Sequence, residues 1–127
     1  DGLFCESSGK VYFANSYDGG KGVLRMSSSV NKVLHDQFTG AGTLKSVTLA
    51  KGVKEIERQA FYKCAGLESI KLPAGLEKIG TSAFCQCTNL GSIEIPSSVT
   101  ELGMYVFSLC QNLDVTIDGG LRPVSNA

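Results

Sequence analysis

The sequence contains no tryptophan, one histidine and only three prolines among its 127 residues. With a single imidazole, His35, the chain is poorly supplied for acid–base or metal chemistry, which disfavours an enzyme or a metalloprotein. Neither charge is in excess, since 12 Lys and Arg residues balance 12 Asp and Glu residues. This balance argues against binding to nucleic acid or an anionic membrane through net charge. No apolar run approaches the ~20 residues of a membrane-spanning helix, so no membrane span is expected.

The sequence also lacks a visible leader. It has no initiator methionine, and no basic segment precedes an apolar one, so a signal peptide is either absent or already removed. Alternatively, the chain is a piece of a longer protein. Its five cysteines are an odd number, which excludes complete internal pairing. With 43% hydrophobic and 19% charged residues, the composition is that of a globular chain.

An internal repeat of 23 residues dominates the sequence. Its phase is set by four equally spaced leucines: Leu44, Leu67, Leu90 and Leu113. These open three complete units and one fragment, at 44–66, 67–89, 90–112 and 113–117. An upstream segment fits the same frame, although Ala41 stands where the later units have cysteine. The predicted organisation is an N-terminal cap or hairpin at 1–20, an array of about four units and a final strand at 21–118, and a C-terminal tail at 119–127.

Within a unit, the spacing of apolar residues changes. Ile70 and Leu72 flank Lys71 with period two, which predicts a short strand with one buried face, and Pro73 ends it because proline cannot donate to a continuing ladder. The rest of the unit is too short for an ordinary helix, so we expect a second extended segment or a tight helical turn, then a bend. One such unit cannot bury a core alone, so each is expected to be one coil of a stacked solenoid.

The consensus reads Leu-x-Ser-Ile-x-Ile/Leu-Pro-x-x-Val/Leu-x-x-Ile/Leu-Gly-x-x-Ala-Phe-x-x-Cys. It resembles the BspA-like, or Treponema-type, leucine-rich repeats over about three quarters of the chain, with departures at Ala50 for proline and Glu57 for glycine. The resemblance implies a repeat solenoid, a right-handed coil with a parallel β-sheet on its concave face and few or no long helices. It also implies an extracellular or cell-surface location and a role in adhesion.

Stacking in register places equivalent residues about 4.8 Å apart. Two interior columns follow, one aromatic and one of thiols: Phe38, Phe61, Phe84 and Phe107, and Cys64, Cys87 and Cys110. Disulfides between adjacent coils are disfavoured, because the side-chain vectors are parallel. Cys85 lies in a different row and is expected to be more exposed than Cys87 and to be labelled before Cys64, Cys87 and Cys110; a bridge to Cys5 is left open. The period itself explains Cys87, and the sequence has no matching histidine or second cysteine pair, so neither a metal nor another cofactor is expected.

Charged residues alternate in sign along a row of the predicted stack: Lys32, Glu55, Lys78 and Glu101. In the row beside it, Lys54 faces Glu77, and on the strands Lys71 faces Glu94. Stacked identical repeats would bring like charges together, whereas alternation replaces repulsion with attraction. Each exposed pair contributes little, so the pattern is expected mainly to fix the register of the coils.

The outward strand positions form the candidate partner-binding surface: Arg25, Ser46, Thr48, Ser69, Lys71, Ser92, Glu94 and Thr116. The partner expected there is a protein or a glycan, whose identity the sequence does not give. The serines are alternatively the small residues that a curved face needs. Aromatic residues gather before the array, where they indicate a cap or, alternatively, a partner-binding edge: Phe4, Tyr12, Phe13 and Tyr17.

Two functions remain after exclusions. No catalytic residue is expected, since the row of His35 meets no cysteine row, and no basic stripe indicates nucleic-acid binding. The first function is a non-catalytic binding or adhesion module that presents the solenoid surface. The alternative is a structural spacer, or a subunit of a larger assembly that associates through the C-terminal coil near Ile117.

Overall fold

The structure of the protein is a computed structural model that describes residues 31–42 and 44–117, together with the backbone of three earlier strands. The described strands are β1 (Gly2–Cys5), β2 (Val11–Ala14), β3 (Val23–Arg25), β4 (Lys32–Val33), β5 (Ser46–Thr48), β6 (Glu55–Ile56), β7 (Ser69–Lys71), β8 (Lys78–Ile79), β9 (Ser92–Ile95), β10 (Glu101–Leu102) and β11 (Asp114–Ile117). Among the described residues there is no helix, and so none long and apolar enough to cross a membrane.

Two parallel sheets run along the stack. Strands β3, β5, β7, β9 and β11 form a five-stranded sheet, and β4, β6, β8 and β10 form a four-stranded sheet. Partners across the sheets lie one repeat apart, as in Ser46 with Ser69 and Lys32 with Glu55. These registers confirm the predicted solenoid, in which each repeat makes one coil. The second segment of each coil, left open between an extended piece and a helical turn, is a two-residue strand.

The first strand of each coil forms because its apolar residues alternate with polar ones. Val47 and Ile70 point inward and are buried, whereas Thr48 and Lys71 are exposed on the other face. Pro73 follows the end of β7 and Pro96 follows the end of β9, as expected for residues without a donor N–H. The buried positions of successive coils then close into one continuous hydrophobic core.

A bend with left-handed backbone follows the second strand of every coil. Positive φ values of 56° to 59° recur every 23 residues, at Asp36, Gln59, Ser82 and Tyr105. A second series, at 60° to 74°, occupies Gly40, Lys63, Gln86 and Leu109. These conformations aim alternate N–H groups along the stack: those of Gln59 and Lys63 each donate, at 2.9 Å, to a carbonyl of the next coil. The bend is therefore a third ladder that joins the coils.

The four phenylalanines form a stacked aromatic column in the interior. Ring centroids of successive phenylalanines from Phe38 to Phe107 lie 5.1, 5.3 and 5.9 Å apart. All four rings are at most 2% exposed. Their spacing follows from the register of the coils, because each phenylalanine lies at the same position inside the bend, between its two left-handed residues.

Strands β1 and β2 pair antiparallel, with Leu3 opposite Phe13. The strand predicted around residues 10–13 thus coincides with β2. The side chains of the early aromatic residues lie outside the described part of the chain, as do the C-terminal residues after Ile117. A capping role for residues 1–20 stays a prediction.

Candidate functional site

The structure places the described members of the predicted partner-binding surface on one face of the five-stranded sheet. The exposed members are Thr48, Ser69, Lys71, Ser92, Glu94 and Thr116. Ser46 is half-buried, and Arg25 lies in β3 with its side chain outside the described part. The serines form a continuous row, since Ser46 pairs with Ser69 and Ser69 with Ser92. Buried Val47, Ile70 and Ile93 support this face from below. We refer to it as the outer sheet face.

One expectation for this face is not realised as an ion pair. Lys71 and Glu94 are both exposed, yet no ion pair within 4.0 Å joins them in the described part of the structure. A long, exposed lysine loses rotamer freedom when it is held in one geometry, and the attraction between solvated charges offsets little of that cost. The ammonium of Lys71 is thus available to a ligand.

A groove of about 580 Å³ continues the outer sheet face where β5, β7 and β9 end. Its apolar side is formed by Leu49, Leu72, Pro73 and Pro96, and Lys51, Lys71 and Glu94 add charge. Sequence reasoning recognised the prolines only as strand ends and did not assign Lys51 to a surface. The available signal was the run of apolar residues and prolines directly after each strand.

The predicted alternating row of charges is confirmed. Lys32 approaches Glu55 at 4.0 Å, and Lys78 approaches Glu101 at 3.7 Å. The backbone register brings Glu55 beside Lys78 as well. A further pair, Lys45–Glu68 at 3.9 Å, lies outside the predicted rows and also joins residues one repeat apart.

We expect Lys78→Glu to lower the free energy of unfolding by about 0.5–1 kcal/mol. The change removes the pair with Glu101 and places a third carboxylate between Glu55 and Glu101. Because salt screens exposed charges, the loss should be larger in dilute buffer than in high salt. Thermal denaturation at both salt concentrations measures it, with Lys51→Glu as an exposed, unpaired control. An unchanged melting temperature in dilute buffer would contradict the assigned row.

Glu57, which stands where the consensus has glycine, ties the first described coil to the next one. Its carboxylate accepts the backbone N–H of His35 at 2.9 Å and a bond from the ammonium of Lys32 at 3.2 Å. Partial burial works against ionisation, but these donors outweigh it and lower the pKa of Glu57. The departure from the consensus therefore has a structural role that the sequence did not reveal.

His35 itself is an exposed side chain whose Nδ1 lies 3.4 Å from Asp36. No group of three or more His, Cys, Asp or Glu side chains in the described residues is arranged to hold a metal ion.

The thiol column has a defined bonding pattern. The thiols of Cys64, Cys87 and Cys110 donate to phenylalanine carbonyl oxygens of the preceding coil at 3.0, 3.1 and 2.9 Å. Cys64 and Cys87 are fully buried, and Cys85 is 8% exposed and has no disulfide partner among the described residues. The side chain of Cys5 lies outside the described part of the chain. Cys110 is half-buried, because it lies in the last complete coil described. Cys85 is thus more exposed than Cys87, as expected, but Cys110 is more exposed than Cys85, which changes the expected order of labelling.

Cys110 is expected to react first with a maleimide or an aromatic disulfide at mildly alkaline pH. Cys110 is the most exposed of the described thiols, whereas burial raises the pKa of Cys64 to about 12. Burial also raises the pKa of Cys85, which should react second, and Cys64 and Cys87 should react only on unfolding. Mass spectrometry of timed samples from a Cys5→Ser background gives the order. Labelling of Cys85 before Cys110 would contradict it.

The last complete coil described, at 90–112, differs from the inner coils in exposure. Met104, Tyr105 and Leu109 are 53%, 50% and 54% exposed and are the large hydrophobic side chains exposed in the described part. The N–H groups of Tyr105 and Leu109 occupy the positions that donate to a following coil elsewhere in the stack. Within the described residues they have no acceptor. Among the described residues, fewer backbone N–H groups are therefore hydrogen-bonded at this edge than in the interior of the array.

Comparisons with known proteins agree with this architecture. The sequence profile described as "BspA type Leucine rich repeat region" matches residues 10–126 in six copies. Among solved structures, the chain is similar to a leucine-rich repeat protein of T. pallidum, at 34% identity and a TM-score of 0.72, covering 74% of this chain and 44% of that one. It is also similar to a leucine-rich repeat protein from Bacteroides ovatus, at 28% identity and a TM-score of 0.71, covering 86% of this chain and 30% of that one.

The chain thus spans less than half the length of either of these solved relatives. No curated protein sequence is significantly similar to it. The two structures share the described fold with this chain, and their names give no ligand.

Proposed function

Since the chain belongs to the BspA-type leucine-rich repeat family, whose repeats are generally non-enzymatic scaffolds for protein interaction, we propose that it is a binding module. In this proposal the outer sheet face contacts the partner, with Thr48, Ser69, Lys71, Ser92 and Glu94 at its centre. The partner is a protein or a glycan presented outside the cell. Adhesion at a cell surface is the setting that the family resemblance favours.

One observation carries this proposal. Six exposed polar or charged side chains stand in register on a sheet whose other side is sealed by the core, and a groove adjoins them. Such a surface is held rigid by parallel ladders, so binding costs little ordering of the backbone. Its side chains also present donors, acceptors and both signs of charge at a fixed spacing of one coil.

Capture from extracellular material tests the proposed surface. The purified chain is immobilised, exposed to surface extracts of neighbouring bacterial and host cells, and the retained proteins and glycans are identified. A variant with Ser69→Arg and Ser92→Arg should lose the captured partner, because two long side chains then cover the face. The matched variant carries Thr88→Arg and Thr100→Arg at exposed positions outside this sheet and should retain it. Equal capture by both variants would show that the partner binds elsewhere.

The exposed edge of the 90–112 coil favours a second candidate, a structural subunit that associates through this coil. Met104, Tyr105 and Leu109 would then be covered by another chain. Size-exclusion chromatography with light scattering decides between the two. A monomer at all concentrations supports the free binding module, whereas oligomers that dissociate on Tyr105→Glu and Leu109→Glu substitution support the subunit.

A further inference from the structure

The groove beside the outer sheet face is surrounded by lysines that lack a partner within the described part of the fold, unlike the other described lysines. Seven lysines are described, and three of them form ion pairs at 3.2 to 4.0 Å: Lys32, Lys45 and Lys78. Lys63 lies over the ring of Tyr62, with Nζ 5.3 Å from the ring centroid. Each of these four thus has a partner within the fold.

The other three described lysines surround the groove. Lys51 and Lys71 line it. The ammonium of Lys54 lies beside Gly75, another lining residue, 3.0 Å from where a Cβ at Gly75 would be. In the described part of the chain, no carboxylate lies within 4.0 Å of any of the three. With Glu94 as the one acidic lining residue, the groove is a positive site on a chain of zero net charge.

We propose that this groove binds an acidic peptide segment of the partner, an inference that rests on the proposed function and names its ligand chemistry. Carboxylates of the segment contact Lys51, Lys54 and Lys71. A side chain of leucine or proline size packs between Leu72 and Pro96. The ligand thereby supplies the counter-charges that the fold gives to lysines elsewhere.

The apolar side of the groove favours a peptide over an anionic glycan. It is built from aliphatic side chains and prolines, and no aromatic ring lines it for a sugar to stack on. Recognition takes place through side chains, because β5, β7 and β9 are paired on both edges and offer no free edge to an added strand.

A titration followed by amide chemical shifts tests the proposal on the full chain. The probe is the acetylated heptapeptide EELPLEE, compared with QQLPLQQ and with a heparin hexasaccharide. The acidic peptide should shift the amides of residues 48–52, 71–76 and 94–98, with a dissociation constant of about 0.1–1 mM that weakens with salt. The neutral peptide should leave them unchanged.

Two charge-matched variants locate the binding. Lys51→Gln with Lys71→Gln should weaken binding of the acidic peptide about fivefold or more, since two exposed charge contacts are lost. Lys45→Gln with Lys63→Gln removes the same charge away from the groove and should change it less than twofold. Leu72→Ser should weaken binding of the acidic peptide but not binding of the hexasaccharide.

Equal weakening by the two double variants, or no groove shifts with the acidic peptide, would overturn the proposal. Binding of the hexasaccharide alone would also overturn it and point to a glycan. These results are separate from the capture experiment. If arginine substitution in the serine row abolishes capture of the partner but the acidic peptide does not bind the groove, the outer sheet face remains the proposed binding surface. Only the assignment of an acidic peptide as the ligand is then rejected.

Discussion

Phe84→Ala is expected to lower the free energy of unfolding by about 4 kcal/mol, a large part of the stability of a domain of this size. The ring of Phe84 is fully buried and stacks on Phe61 at 5.3 Å and on Phe107 at 5.9 Å. Its removal leaves a cavity in the middle of the stack, and the bends on either side cannot collapse into it because backbone bonds join them to neighbouring coils.

Phe107→Ala is the matched comparison, since the same atoms are removed from a ring with one described stacking neighbour. Its cost should be smaller by about 1 kcal/mol, because one aromatic pair is lost instead of two. Urea denaturation of both variants with a shared m-value measures the difference. A larger loss at Phe107 than at Phe84 would contradict the idea that the column stabilises the fold through stacking between coils.

The register of the fold could be predicted from the sequence because two periods coincide in it. Alternation of period two fixes which face of each short strand is buried, and the 23-residue period fixes which residues become neighbours. The columns that contain Ile70 and Phe84 could therefore be predicted from the sequence. The alternating signs of Glu55 and Lys78 likewise predicted a row of charges on the surface. A slip of one residue would place polar side chains in the core, so the register is strongly specified.

The left-handed bend could not be predicted, because the residues that adopt it are mostly not glycine. Gln59, Lys63 and Leu109 have positive φ, which costs each of them conformational energy. The N–H bonds to the next coil, where one is described, offset that cost. Those bonds exist only once the coils are stacked, so the local conformational preferences of these residues do not predict the bend. In the second series of positive φ values, only Gly40 is a glycine, the residue type that usually indicates a left-handed conformation.

The groove and the exposure of Cys110 depend on position in three dimensions as well as on repeat phase. Cys110 has the same place in its unit as Cys64, but a thiol is fully buried only when the next coil covers it. Lys51 and Pro96 belong to different coils, and they line the same groove only because the strands before them end at the same edge of the sheet. A repeat period describes only what the units share, so it carries least information where one unit differs from the next.

Gly80→Ala is expected to cost about 2–3 kcal/mol of unfolding free energy, although it adds one methyl group. A Cβ at Gly80 would lie 2.5 Å from the backbone nitrogen of Arg58 and 2.8 Å from the carbonyl carbon of Glu57. The same stretch of backbone joins the two coils, since the N–H of Gly80 donates to the carbonyl of Ile56 at 2.7 Å. Relief requires the coils to separate locally. Glu57 has a Cβ at the equivalent position one coil earlier. Its carboxylate, however, forms hydrogen bonds with Lys32 and His35 of the coil before it, and alanine cannot form such bonds.

Gly91→Ala is the control, because a Cβ there meets no atom within 4 Å and the φ of Gly91 is not positive. It should be neutral or stabilise slightly, since alanine restricts the unfolded chain more than glycine does. Melting temperatures of the two variants and the wild type, at equal concentration, test the comparison. Equal, small effects of the two alanines would contradict the close spacing of the coils at Gly80 and Arg58. The coils would then separate at a lower free-energy cost than their three hydrogen-bonded ladders indicate.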